Sequence, residues 1–174
     1  KELCMGCIYA ADMADNRRLC PFCRAPNAAS EGKANRMLMN RAEGGDSVAI
    51  HTLGCLHKSG GMGLPQDYEK AMELWLRAGE LGCADSYGNV ADAYYNGEVV
   101  ERDTQKAKYY EELSAMGGDV VARHNLGDFE ERAGNYDRAV KHYMIAAGAG
   151  YDDSVKKIRV CFMNGRATKD DFEK

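Results

Sequence analysis

The sequence predicts an all-α chain, an α-solenoid of antiparallel helix pairs preceded by a small cysteine-bearing segment. Three recurring sets of marks predict it. Lys70-Ala71 returns as Lys106-Ala107 and Arg138-Ala139, at spacings of 36 and 32 residues. Leu53-Gly54 returns as Val90-Ala91, Leu126-Gly127 and Ile158-Arg159. The small residues Ala49, Ser86, Ala122 and Ser154 precede those pairs at one fixed distance, and Gly45, Gly82, Gly118 and Gly150 precede the small residues at the same distance. Marks that share one period signal a structural repeat, a unit that buries its apolar face only by stacking on neighbours.

The elements follow in order. A leading helix is expected over about 31–43, with Ser30 placed to cap it as later aspartates cap theirs. The first full repeat pairs a helix around 46–58 with a second around 68–80. In that second helix Ala71, Leu74, Trp75 and Ala78 fall at helical spacing, as do Val140, Tyr143, Met144 and Ala147 two repeats on. Asp67, Asp103 and Asn135 each stand four residues before the repeated alanine, where a side-chain oxygen can satisfy a free helix amide. The recurring glycines suit helix ends that need positive φ. The loop inside the third repeat shortens to Ala133-Gly134-Asn135-Tyr136, and Asp171 opens another helix start. The array then spans 30–174: a half repeat at 30–45, repeats at about 46–82, 83–118 and 119–150, and a partial repeat at 151–174.

Ahead of the array, Cys4-Met5-Gly6-Cys7 and Cys20-Pro21-Phe22-Cys23 form two Cys-x-x-Cys knuckles. Four soft thiolates on two tight turns are the donor set of a structural tetrahedral Zn2+. Disulfides fit less well, because seven cysteines is an odd number and no secretory signal segment is visible. A thioredoxin-like motif would need a βαβ setting that neither knuckle has. Cys55, Cys83 and Cys161 are scattered through the array and read as small packing residues.

Composition narrows the partners. The net charge is −4 and the acidity lies in the array, which argues against nucleic acid, since phosphate binding draws on clustered Lys and Arg. No apolar run approaches the roughly 20 residues of a membrane-spanning helix. An intracellular setting, cytoplasmic or nuclear, is the expectation. No phosphate-binding glycine loop, nucleophile elbow or His-Glu-x-x-His helix occurs, so the array is not expected to catalyse. None of the four histidines has a partner at metal-ligand spacing, and each reads as a surface or locally satisfied residue.

Two resemblances follow from these residues. Leu53-Gly54 with Gly60, Asp67-Tyr68-Glu69-Lys70-Ala71 with Trp75, and Ala78 with Gly82 resemble the Sel1-like repeat, a relative of the tetratricopeptide repeat. Residues 1–26 resemble the second half of a RING-type zinc finger, with Cys20-Pro21-Phe22-Cys23-Arg24 the most specific stretch. In that family's cross-brace, Cys4 and Cys7 would serve one zinc and Cys20 and Cys23 the other, with the remaining ligands upstream of Lys1. The resemblance implies that Pro21 contacts a ubiquitin-conjugating enzyme and that Arg24 points toward the ubiquitin thioester. The chain would then be a zinc-binding interaction scaffold, the substrate-binding part of a RING-type ubiquitin ligase. The alternative is a non-catalytic repeat adaptor whose cysteine segment is a structural zinc knuckle or a vestige.

If packing follows the tetratricopeptide scheme, the first helix of each repeat lines a groove. That nominates His51, Asn89, Asp92, Tyr95, His124, Asn125, Asp128 and Glu131 as groove residues. An acidic, amide-rich groove suits an extended peptide carrying basic residues. The alternative is that these are solvated helix faces.

Overall fold

The computed structural model describes residues 31–97 and 100–166. Among them the chain forms eight helices in a row: α1 Glu31–Glu43, α2 Ser47–Ser59, α3 Tyr68–Glu80, α4 Ala84–Asn96, α5 Thr104–Met116, α6 Val120–Arg132, α7 Tyr136–Gly148 and α8 Asp152–Met163. Every helix packs on the next, so α2–α3, α4–α5 and α6–α7 are three stacked hairpins, with α1 before them and α8 after. All but α8 are 13 residues long, about 20 Å each at 1.5 Å per residue, so the hairpins stack as slabs of equal height. The cysteine segment with Cys4, Cys7, Cys20, Cys23, Pro21 and Arg24 lies outside the described residues, as do Ser30 and Asp171.

Helix ends follow the sequence closely. Gly45, Gly82, Gly118 and Gly150 carry φ of +84°, +93°, +97° and +94°, a left-handed turn that hands each second helix over to the next repeat. Asp67 and Asp103 accept amide hydrogen bonds from the first turns of α3 and α5. Asn135 departs from the expectation, because its side chain makes no cap bond. Its Nδ2 donates instead to Glu130 Oε2 at 2.8 Å, drawn by a buried carboxylate that needs donors. Asp46 and Asp119, two caps absent from the sequence reading, hold the starts of α2 and α6.

The small residues sit at the seams between repeats: Ser86 and Ser154 meet the first helix of the preceding repeat, and Ala49 and Ala122 pack against the preceding second helices α1 and α5. Ala49, Ser86, Ala122 and Ser154 are all buried to 1% exposure or less. Between hairpins, Lys108 on α5 reaches Glu130 on α6 at 2.7 Å; within the third hairpin, Arg138 on α7 approaches the same carboxylate at 3.4 Å. The Lys108 bond is the main cause that holds the Glu130 carboxyl below its ordinary range. No helix of the described residues is long and apolar enough to cross a membrane.

Candidate functional site

Glycine and aromatic residues interlock inside the first and third repeats. A Cβ added to Gly54 on α2 would lie 2.6 Å from Trp75 Cδ1, and one added to Gly127 on α6 would lie 2.4 Å from Tyr143 Cε1. Each ring therefore lies directly on its facing helix, a contact only glycine permits. Trp75 is 3% exposed and Tyr143 fully buried. The second repeat breaks this pairing. Ala91 stands at the glycine position and Glu111, four residues after Ala107, stands at the aromatic position.

The consequence is a cavity of about 130 Å³ lined by Asp92, Tyr95, Ala107, Glu111, Asn125, Asp128, Phe129 and Arg132. Its walls come from α4, α5 and α6, so it spans the second and third repeats. Glu111 is 3% exposed. Asn125 Nδ2 donates to its Oε1 at 2.8 Å, while its Oε2 is buried with no partner. Burial raises its pKa from 4.5 to about 7; the Asn125 bond opposes the rise, and the Asp92 and Asp119 charges add to it. At one side Tyr95 meets Phe129 edge-on at 5.7 Å, and the Arg102 and Arg132 guanidinium groups lie 5.6 and 5.4 Å from its ring centroid. Arg132 also donates to the Tyr95 hydroxyl.

The third repeat holds the corresponding space filled. The Tyr143 hydroxyl lies 2.6 Å from Asp128 Oδ1 and 2.9 Å from Glu131 Oε2, its one proton serving both. Lys157 Nζ from α8 sits 2.8 Å from Asp128, 3.0 Å from Glu131 and 5.7 Å from the Tyr143 ring centroid. Burial opposes ionisation of Asp128, but the bonds from Lys157 and Tyr143 outweigh it and hold the carboxyl low. Burial works against charge on Lys157 in the same way, and its two carboxylate partners outweigh it.

Among the nominated groove residues, Asp92, Tyr95, Asn125 and Asp128 converge on the cavity. Glu131 lies beside them in the Lys157 cluster. The other three belong to the walls between repeats. His124 is buried, with Nδ1 2.8 Å from Ser154 Oγ, and His51 Nδ1 is 2.9 Å from Ser86 Oγ. Asn89 Nδ2 turns back toward Cys55 Sγ at 3.9 Å. An outward-facing role for His124 is thus corrected, because a first-helix residue three before the glycine position faces the next repeat's small residue. The pairing is consistent along the chain: His51 meets Ser86 and His124 meets Ser154, whereas the second repeat places Gly88 at the histidine position, and there the next repeat carries Ala122. Burial lowers the pKa of both histidines, so at neutral pH they are uncharged links. Glu111, Phe129 and Arg132 were absent from the sequence reading. Glu111 had a visible signal, as the one repeated-alanine-plus-four position without an aromatic ring.

No group of three His, Cys, Asp or Glu side chains among the described residues is placed to hold a metal ion. The cavity thus brings together the buried Glu111 carboxyl, the Asp92 and Asp128 carboxyl groups, the Asn125 amide, two aromatic rings and the Arg132 guanidinium, a polar lining suited to hydrogen-bonding groups of a ligand.

Comparison with known proteins places the chain. The family model described as Sel1 repeat matches residues 47–83, 84–119 and 121–151. The chain is 30% identical over 108 residues to the ERAD-associated E3 ubiquitin-protein ligase component HRD3B of Arabidopsis thaliana, an alignment covering 62% of this chain and 17% of that protein. It therefore spans about a sixth of that relative's length. Among solved structures, a Sel1 repeat protein from Oxalobacter formigenes matches with a TM-score of 0.72 and 26% identity, covering 77% of this chain and 56% of that one. The protective antigen c5321 of uropathogenic Escherichia coli, described as displaying an SLR fold, matches with a TM-score of 0.69 and 26% identity over 77% of this chain and 29% of the other. With three consecutive family matches on three stacked hairpins, this chain belongs to the Sel1 repeat family.

Proposed function

We propose that this chain is a protein-docking scaffold that binds a peptide segment of a partner along α4 and α6, at the cavity of the second repeat. The observation that carries the reading is Glu111. A carboxyl group buried to 3% exposure with one oxygen unpartnered is costly, and a position that packs an aromatic ring in both sister repeats has no packing reason for it. A carboxyl group perturbed by burial and by neighbouring charges inside a cleft is a candidate functional group on physical grounds.

The setting we propose is ubiquitin ligation. Two independent features support it: the similarity to a protein named as a component of an E3 ubiquitin-protein ligase, and the RING-type resemblance of residues 1–26. In this reading the repeats hold the partner, zinc on Cys4, Cys7, Cys20 and Cys23 orders the leading segment, and Pro21 and Arg24 meet the conjugating enzyme in a cytoplasmic or nuclear setting.

The test is a random-peptide display selection on the full chain, followed by binding measurements on the enriched peptides. Binding that falls at least tenfold in Tyr95→Ala and Asp92→Asn, but not in the distant surface variant Glu69→Gln, supports the docking reading. Peptides that bind all variants alike would refute this location for the site.

A further inference from the structure

The second and third repeats differ at the position four residues after the repeated alanine, which is Glu111 in one and Tyr143 in the other. In the third repeat a phenol ring fills the interior, and its hydroxyl meets two carboxylates, Asp128 at 2.6 Å and Glu131 at 2.9 Å. In the second repeat the carboxyl stands at that position and no phenol reaches it. Asn125 Nδ2 donates to Glu111 Oε1, and Glu111 Oε2 is buried without a partner. A carboxyl oxygen so placed is costly until a hydrogen-bonding group reaches it.

The cavity beside Glu111 has the size and the walls for one ring. Its volume is about 130 Å³, and an apolar cavity of ~150 Å³ can hold benzene. Ala107, Tyr95 and Phe129 supply apolar and aromatic wall, while Glu111 and Asn125 supply polar groups. Tyr95 and Phe129 already meet edge-on at 5.7 Å, an arrangement that a third ring can extend.

We propose that the second-repeat cavity takes a tyrosine side chain of the partner, its ring against Tyr95 and Phe129 and its hydroxyl on Glu111 Oε2. The partner thereby supplies the phenol that the third repeat supplies to itself. The proposal rests on the docking reading for the source of the tyrosine, but the cavity's preference for a phenol stands on its volume, its walls and the internal comparison. A hydroxyl both donates and accepts, so it satisfies Glu111 whether the carboxyl is ionised or protonated. Both forms are present near neutral pH, because burial raises this group to about 7. Phenylalanine would fill the same volume and leave Oε2 unpaired. Phosphotyrosine would set a charge of roughly −2 beside Glu111 and Asp128, and is rejected.

The cavity is tested without knowing the partner by using 4-methylphenol and toluene, the side chains of tyrosine and phenylalanine as free molecules. Each is titrated into the full chain and followed by NMR at the Phe129 ring, the Asn125 side-chain amide and the Glu111 carboxyl carbon. 4-Methylphenol should shift all three and bind at least threefold more tightly than toluene. Glu111→Ala should remove that preference, since both probes then meet no carboxyl. The unaltered chain alone decides the matter if that variant does not fold: no shift at these three groups, or toluene binding as well as 4-methylphenol, would overturn the proposal.

A second arm uses the peptides selected on the full chain. They should share a tyrosine whose replacement by phenylalanine weakens binding at least tenfold and whose phosphorylation abolishes it. Peptides that bind equally well with phenylalanine, yet still lose affinity in Tyr95→Ala, would overturn the tyrosine anchor while leaving the docking reading intact. Failure to select any peptide, with 4-methylphenol bound as expected, would instead count against the docking reading and support the cavity's preference for a phenol.

Discussion

Gly127→Ala tests the interlock that distinguishes the repeats. Its Cβ would lie 2.4, 2.6 and 2.9 Å from Tyr143 Cε1, Cδ1 and Cζ, well inside contact distance. The ring has little freedom to retreat, because it is fully buried and its hydroxyl is held by Asp128 and Glu131. Overpacking of this kind costs about 1–3 kcal/mol. Alanine regains up to ~1 kcal/mol of helix propensity over glycine, so the net loss should be about 1–2 kcal/mol. For a chain of this size that lowers the thermal midpoint by roughly 2–8 °C. Gly148→Ala is the control, since nothing lies within 4 Å of its added Cβ, and it should be neutral or stabilising. Thermal melts by circular dichroism read both variants. A double-mutant cycle with Tyr143→Leu should recover most of the Gly127→Ala loss. If Gly127→Ala proves as stable as Gly148→Ala, the ring does not set the helix separation.

Trp75→Ala should cost about 3–5 kcal/mol, since it removes a 3%-exposed indole packed on Gly54, and native fluorescence should be blue-shifted and move red on unfolding. Glu111→Gln should stabilise the chain more at pH 8 than at pH 5: the folded-state pKa of about 7 exceeds the ordinary value of 4.5, so the native state holds the extra proton and stability falls as pH rises through that window. The loss removed at pH 8 is about 3 kcal/mol at most, read by urea melts at the two pH values. Metal analysis of reduced protein should find zinc that Cys20→Ser loses, with the helical signal largely kept; no zinc in the unaltered chain would contradict a self-contained four-cysteine site.

Much of the fold was legible because a repeat states its architecture several times over. The glycines before each first helix and the aspartates before α3 and α5 fixed element boundaries within a residue or so, since each answers a local backbone need. Asn135 shows where local logic fails: a buried carboxylate five residues earlier competes for its amide. The groove residues divided for a related reason. Positions one and four after the glycine site face the cavity, but the position three before it meets the neighbouring repeat, so His51 and His124 became links rather than contacts. Spacing within one helix does not reveal which face the next hairpin covers. The cavity itself was legible in outline, because Ala91 and Glu111 replace a glycine and an aromatic at aligned positions. What the alignment lacked was the contact that makes those two positions one feature, the ring lying on the glycine.

The most direct test of the account refills the cavity from within. Ala91→Gly with Glu111→Tyr gives the second repeat the pairing of the third, and the new hydroxyl would meet Asp92 as Tyr143 meets Asp128. Isothermal titration of a display-selected peptide into this double variant should show affinity reduced at least tenfold, with a thermal midpoint equal to or above that of the unaltered chain. Unchanged affinity in a stably folded double variant would contradict the account, because the partner would then be bound somewhere other than the second-repeat cavity.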